Sequence, residues 1–174
     1  MAYARVLGSL EGIEMNQSTS TRTRAVSVAA IAGLAMIALA IAPSVMAGDS
    51  IVTRGEFNSF GAGSGLELSG HAQMVRTASG TTIVAVHVEG LAPNTTYGSH
   101  VHQQPCSNGD ADGHYKFDPT GPAAPPNEIW PGFTTNSAGI GNGNATVDAT
   151  AGSTAVSVVV HAPGGAKIAC ADLN

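Results

Sequence analysis

Residues 81–91 read TTIVAVHVEGL. Successive side chains of an extended chain point to opposite faces, so Val84, Val86 and Val88 share one side while Ala85, His87 and Glu89 share the other. That is a strand with one face in a core and one in water, bounded by turn residues at 78–80 and 92–94. A second stretch, STAVSVVVHA at residues 153–162, repeats the pattern. Val156, Val158 and Val160 are expected inward, with Ser157, Val159 and His161 outward, so that His161 sits outside the wall at a strand end.

Weaker strand candidates cover residues 50–57, 66–76, 97–102, 132–135, 144–149 and 166–171, with a further turn at 136–143. Short β-branched runs alternating with Gly, Ser, Thr and Asn, and few helix-forming stretches, predict an all-β sandwich or barrel. There is no internal repeat. The longest stretch without strand character is 103–131, and a loop that long in a compact domain is usually functional.

The chain has 174 residues, enough for one domain once its beginning is set apart. Arg22 and Arg24 precede the apolar run AVSVAAIAGLAMIALAIA at 25–42, followed by Pro43 and the small-residue site at 45–47. This is the pattern of a signal peptide, with Met15 as an alternative start. We expect residues 1–47 to be a leader and residues 48–174 to be the exported domain. The competing reading is an uncleaved membrane anchor, because the run approaches the length of a membrane span.

Beyond residue 48 the basic residues are Arg54, Arg76, Lys116 and Lys167, against ten acidic ones. Nucleic acid is excluded as a partner on this charge balance. The two cysteines, Cys106 and Cys170, both fall in the exported part, where an even count reads as one disulfide. Closing a loop of that length stabilises by about 4 kcal/mol in the chain-entropy model.

Residues 97–119, YGSHVHQQPCSNGDADGHYKFDP, concentrate three of the six histidines. His100 and His102 are one residue apart, so on a strand both imidazoles leave the same face while Val101 enters the core. His114 lies further along a Gly-rich loop, and His161 comes from the remote strand end. Four histidines suit a borderline ion such as Cu(II), and zinc as well. His71 and His87 sit on strands with polar neighbours and are expected to face solvent. The run Asp110-Ala111-Asp112-Gly113 lacks the later ligands of a calcium loop. Asn94-Thr95-Thr96 and Asn144-Ala145-Thr146 fit the glycosylation sequon, a pattern common by chance. Trp130 and Phe133 are expected to pack in the core or under the loop.

Taken in order, YGSHVHQQPC, GHYKFDP, VVVHA and KIAC resemble the copper/zinc superoxide dismutases. The resemblance spans roughly residues 69–173. It implies an eight-stranded antiparallel Greek-key barrel or sandwich, an architecture known for that family. It further implies copper ligation by His100, His102, His114 and His161, and a Cys106–Cys170 disulfide. The implied reaction turns superoxide into dioxygen and hydrogen peroxide by Cu(II)/Cu(I) cycling, with His114 as mobile ligand and proton donor.

Three departures sharpen the expectation. The family's zinc ligands follow the bridging histidine, yet YKFDPTGPAAPPNEIWPGFTTN holds no histidine, and its carboxylates Asp118 and Glu128 fall off the pattern. A zinc site is therefore expected to be absent, as in copper-only relatives. The charged guiding loop is missing, since only APGGA separates His161 from Lys167. Lys167 stands where the family has Arg and is expected to attract superoxide. Without zinc, the far nitrogen of His114 is left for water or a carboxylate, with Asp112 and Asp118 as the candidates, and the sequence does not choose among them. The expected location is secreted, periplasmic or cell-envelope, with no span kept after cleavage and homodimer formation left open. A non-catalytic copper-buffering protein and a purely structural β-domain are the competing readings.

Overall fold

The computed structural model describes residues 48–174, and the leader with its apolar run lies outside the described residues. Among the described residues no helix is long and apolar enough to cross a membrane.

Nine strand segments run along the described residues: β1 Ile51–Glu56, β2 Asn58–Ser59, β3 Ser69–Arg76, β4 Thr82–Glu89, β5 Thr96–His102, β6 Phe133–Thr134, β7 Gly141–Val147, β8 Ser157–His161 and β9 Lys167–Asp172. They form two antiparallel sheets, of order β1-β3-β4-β7 and β2-β9-β8-β5-β6. No ladder joins the two sheets, so the architecture is an open sandwich rather than a closed barrel. Two of the segments, β2 and β6, are only two residues long, and β2 was not anticipated from the sequence. The chain crosses from β4 to β5, returns through β6 to β7 beside β4, then crosses again to β8 beside β5.

The core lies between the sheets. Val84, Val86 and Val88 of β4, with Ala72 and Met74 of β3, meet Val101 of β5, Val158 and Val160 of β8, and Ala169 and Ala171 of β9. Each fully buried valine of this kind contributes about 1.5–3 kcal/mol relative to exposure. Two glycines of β7 let the 131–133 segment lie close. A Cβ on Gly141 would come within 2.2 Å of the Phe133 ring, and one on Gly143 within 2.2 Å of the Pro131 carbonyl oxygen.

Ser157, Val159 and His161 leave the outer face of the second sheet, as the alternation predicts, but that face is covered rather than open to solvent. Val159 is fully buried beneath Ala111 and the Cys106–Cys170 disulfide, and His161 is 7 % exposed. The reason is the long loop after β5, which folds back over this face. Ser157 Oγ donates to the Gln104 carbonyl at 2.7 Å, and Asp172 Oδ1 accepts the Cys106 N–H at 2.7 Å. Both fasten the loop to the sheet it covers.

Candidate metal centre

The register of the second sheet begins the site. β5 pairs with β8 so that Gly98 faces His161, His100 faces Val159 and His102 faces Ser157. His100, His102 and His161 thus leave the same outer face, on adjacent strands, while Val101 is fully buried in the core. Gly98 has no side chain beyond its backbone, which leaves room where the His100 and His161 rings meet. A Cβ there would already lie 3.6 Å from one ring and 3.7 Å from the Cβ of the other.

A bulge sets the far end. Val160 pairs with Ala169, but His161 pairs with Lys167, leaving Ile168 as the extra residue on β9. His161 and Lys167 are thereby placed opposite each other at the mouth of the sheet.

The loop delivers His114. Gln103 N–H donates to the Gly113 carbonyl at 3.2 Å, and Tyr115 N–H to the Val101 carbonyl at 2.8 Å. These bonds bracket an antiparallel bridge between His102 and His114. The imidazoles of His100, His102, His114 and His161 then present one nitrogen each, all within 4.8 Å of one another.

Hydrogen bonds choose which nitrogen that is. His102 Nδ1 donates to the Asp112 carbonyl at 3.1 Å, with the Ala111 carbonyl at 3.3 Å. His161 Nδ1 donates to the Gly165 carbonyl at 2.9 Å, and His114 Nδ1 to Glu128 Oε2 at 2.7 Å. A neutral imidazole that donates from Nδ1 keeps its lone pair on Nε2, so three Nε2 atoms are left as acceptors. His100 is the exception, because its Nδ1 is buried without a hydrogen-bond partner among the described residues.

This arrangement asks for a cation. His102 Nε2 and His161 Nε2 lie 3.4 Å apart with both lone pairs exposed to each other, and His100 Nδ1 is orphaned in the same cluster. Buried acceptors that face one another without a donor are costly, and one ion among them relieves all of them. Burial pushes the His100 imidazole down to about 3 and His102 down to about 4, with the charge of His114 adding to each. Burial lowers His161 also, against a smaller opposing effect of the Gly165 hydrogen bond. His100, His102 and His161 are therefore neutral nitrogen donors at neutral pH, suited to a nitrogen-preferring ion.

Three expectations need correction. Glu128 is no stray carboxylate: it is 1 % exposed, and its Oε2 accepts both His114 Nδ1–H and Trp130 Nε1–H, each at 2.7 Å. Asp112 and Asp118 do not orient His114, since Asp112 Oδ2 accepts from Gln103 Nε2 and Asp118 Oδ1 accepts from Thr120. Trp130 is not in the core. It is half-exposed, edge-on to His100 with ring centroids 5.0 Å apart.

Lys167 is placed near the cluster, but its ammonium is engaged. It donates to the Asp110 and Asp112 carbonyls, the second at 2.9 Å. Asp110, Ala111 and Asp112 all have φ between 53° and 61°, the left-handed region that non-glycine residues rarely occupy. That turn aims its carbonyls inward, at Lys167 on one side and His102 on the other. A cleft of about 510 Å³, lined by Gln103, His114, Lys116, Pro119 and Glu128 among others, opens beside the His114–Glu128 pair.

No family model matches the chain, and no curated protein matches it in sequence. Solved structures do. Candida albicans Superoxide Dismutase 5 in its Cu(II) form superposes with a TM-score of 0.52 at 18 % identity, over 72 % of this chain and 92 % of that one. Its Glu→Gln mutant gives 0.52 at 18 % identity over 72 % and 91 %, and its Glu→Ala mutant 0.51 at 18 % over 73 % and 90 %. At that identity the likeness is one of fold. This chain is built as a superoxide dismutase is built.

Proposed function

We propose that this chain is an exported copper-dependent superoxide dismutase, converting two superoxide ions and two protons into dioxygen and hydrogen peroxide. The observation that carries the reading is the nitrogen set: three Nε2 atoms left free by tethered Nδ1 atoms, and an orphaned His100 Nδ1 in the same cluster. Copper bound there would supply the electron taken up and given back as Cu(II) alternates with Cu(I).

The residues supply the rest. His100, His102 and His161 would hold the ion from the rigid sheet face. His114 stands on the loop, and its Nε2 is the atom that takes and returns a proton. Glu128 occupies the far nitrogen of His114, where a second metal sits in the bridged enzymes that the sequence resembles. That occupancy supports a copper-only centre without zinc. Lys167 adds positive charge beside the cluster, while its tie to two carbonyls makes it a positioning residue for the 110–112 turn.

The engagement of Lys167 and the missing guiding loop favour a second reading, a copper-holding protein without turnover. Loading the protein with copper, counting the metal and measuring superoxide removal with and without cyanide separates the two. One copper per chain with cyanide-sensitive dismutation supports the enzyme. One copper without dismutation leaves the copper-holding protein, and no stoichiometric copper ends both.

A further inference from the structure

The outer face of the first sheet carries a second pair of histidines, which the proposed centre does not use. His71 on β3 lies directly opposite His87 on β4. Glu56 faces His71 from β1, and Asn142 faces His87 from β7. One row across four strands therefore reads Glu56, His71, His87, Asn142. The row is on the solvent side, because Ala72, Val86 and Val88 beside it are in the core. Glu89 lies two residues beyond His87 on the same face.

The side chains are close. The His71 and His87 ring centroids are 5.5 Å apart and tilted by 37°. His87 Nδ1 is 2.8 Å from Asn142 Oδ1, and His87 Nε2 is 3.1 Å from Glu89 Oε1. Asn142 Oδ1 can only accept, so Nδ1 carries the hydrogen. In the neutral ring the Nε2 lone pair then faces a carboxylate oxygen, and two acceptors at that distance need a cation between them. A proton meets the need in part, since hydrogen bonds to Asn142 and Glu89 hold the His87 pKa above its ordinary value.

A metal ion meets it with a third ligand. Opposed residues of an antiparallel pair have Cβ atoms roughly 4.5–5.5 Å apart, close enough for two imidazoles to reach one ion at about 2.0–2.1 Å each. His71 is exposed and makes no hydrogen bond among the described residues, so its ring is free to turn toward that ion. Two imidazoles and a carboxylate, with water completing the shell, are a donor set for borderline divalent ions. We infer that the outer face of the first sheet binds one such cation, Zn(II) or Cu(II), through His71, His87 and Glu89, with Glu56 adding negative charge at the end of the row.

The test uses Zn(II) as the probe and counts a difference, so it does not depend on what the four-histidine cluster binds. Zinc per chain is measured by equilibrium dialysis and elemental analysis for the wild type, for H71A/H87A and for Gln73→Ala as a control on the neighbouring row. The double variant is expected to lose one zinc per chain while the control keeps it. In the wild type, zinc should also protect His71 and His87 from acylation by diethyl pyrocarbonate, read residue by residue by mass spectrometry. That second measurement decides the matter if the double variant fails to fold. Equal zinc counts in the wild type and the folded double variant, or acylation of both histidines unchanged by zinc, would overturn the site.

Discussion

His114 Nδ1 and Glu128 Oε2 lie 2.7 Å apart, and the same carboxylate oxygen also takes the Trp130 indole hydrogen. The other oxygen, Oε1, is buried without a partner among the described residues. One buried carboxylate therefore orients the loop histidine of the cluster and anchors the aromatic ring at its rim. Groups that orient a ligand imidazole are worth roughly 10- to 100-fold in metal affinity or activity. Glu128→Gln keeps the shape and removes the charge, so copper affinity should fall within that range when measured by chelator competition. An affinity equal to wild type would mean that the pair is only structural.

His100 tests the cation requirement from the other side. Its buried, unpartnered Nδ1 costs the metal-free fold about 1–3 kcal/mol. His100→Ala should leave the metal-free melting temperature no lower than wild type, and should abolish the rise in melting temperature that copper gives the wild type. A large loss of metal-free stability, with the copper effect intact, would remove His100 from the ligand set.

The pH dependence has a definite sign. In the fold His100 and His102 titrate near 3 and 4, pushed down first by burial. In the unfolded chain they take up protons at their ordinary value of about 6.5. Below that value the unfolded state binds more protons, so these two groups make the metal-free protein lose stability as pH falls from about 6.5 toward 4. Melting of the metal-free protein should follow this slope, and His100→Ala should flatten it. Copper should meanwhile be retained to about pH 5, because protons compete with it at these two nitrogens only near their lowered pKa values.

Lys167 holds a strained turn. Replacing it by Met releases the Asp110 and Asp112 carbonyls, the latter of which also receives His102 Nδ1–H. Amide hydrogen exchange in residues 110–113 should quicken, and the dependence of dismutation on ionic strength should flatten. Lys167→Arg should restore slow exchange. Exchange as slow in Lys167→Met as in wild type would show that the turn stands without the ammonium.

The disulfide pins that same loop to the sheet. Cys106 and Cys170 are separated by 64 residues, and a loop of that length gives about 4 kcal/mol of stabilisation. Cys106→Ser with Cys170→Ser should lower unfolding stability by a comparable amount in denaturant titration. The loop over Val159 should become susceptible to limited proteolysis.

Much of this protein is written in periods of two. The alternation of Val84, Val86 and Val88 with His87 and Glu89 set both the strand and its core face, because a half-buried strand has no other way to satisfy its side chains. The spacing of His100 and His102 determined that both rings leave one face, and the residue types determined that the centre would be nitrogen-rich. Where side chains came from different strands or from the loop, the sequence was silent. Val159 and His161 read as outward from the wall, which they are, but nothing in STAVSVVVHA records that the loop after β5 folds back over Val159. Glu128 read as stray because it reaches His114 across 14 residues of loop with no periodicity to place it. Lys167 read as a free charge because its partners are backbone carbonyls, which every residue has and no sequence can single out. Residue order alone fixed the faces and the nitrogen chemistry of the candidate centre. The tertiary structure alone decided which nitrogen each histidine keeps free, because that depends on acceptors brought close only when the loop closes on the sheet.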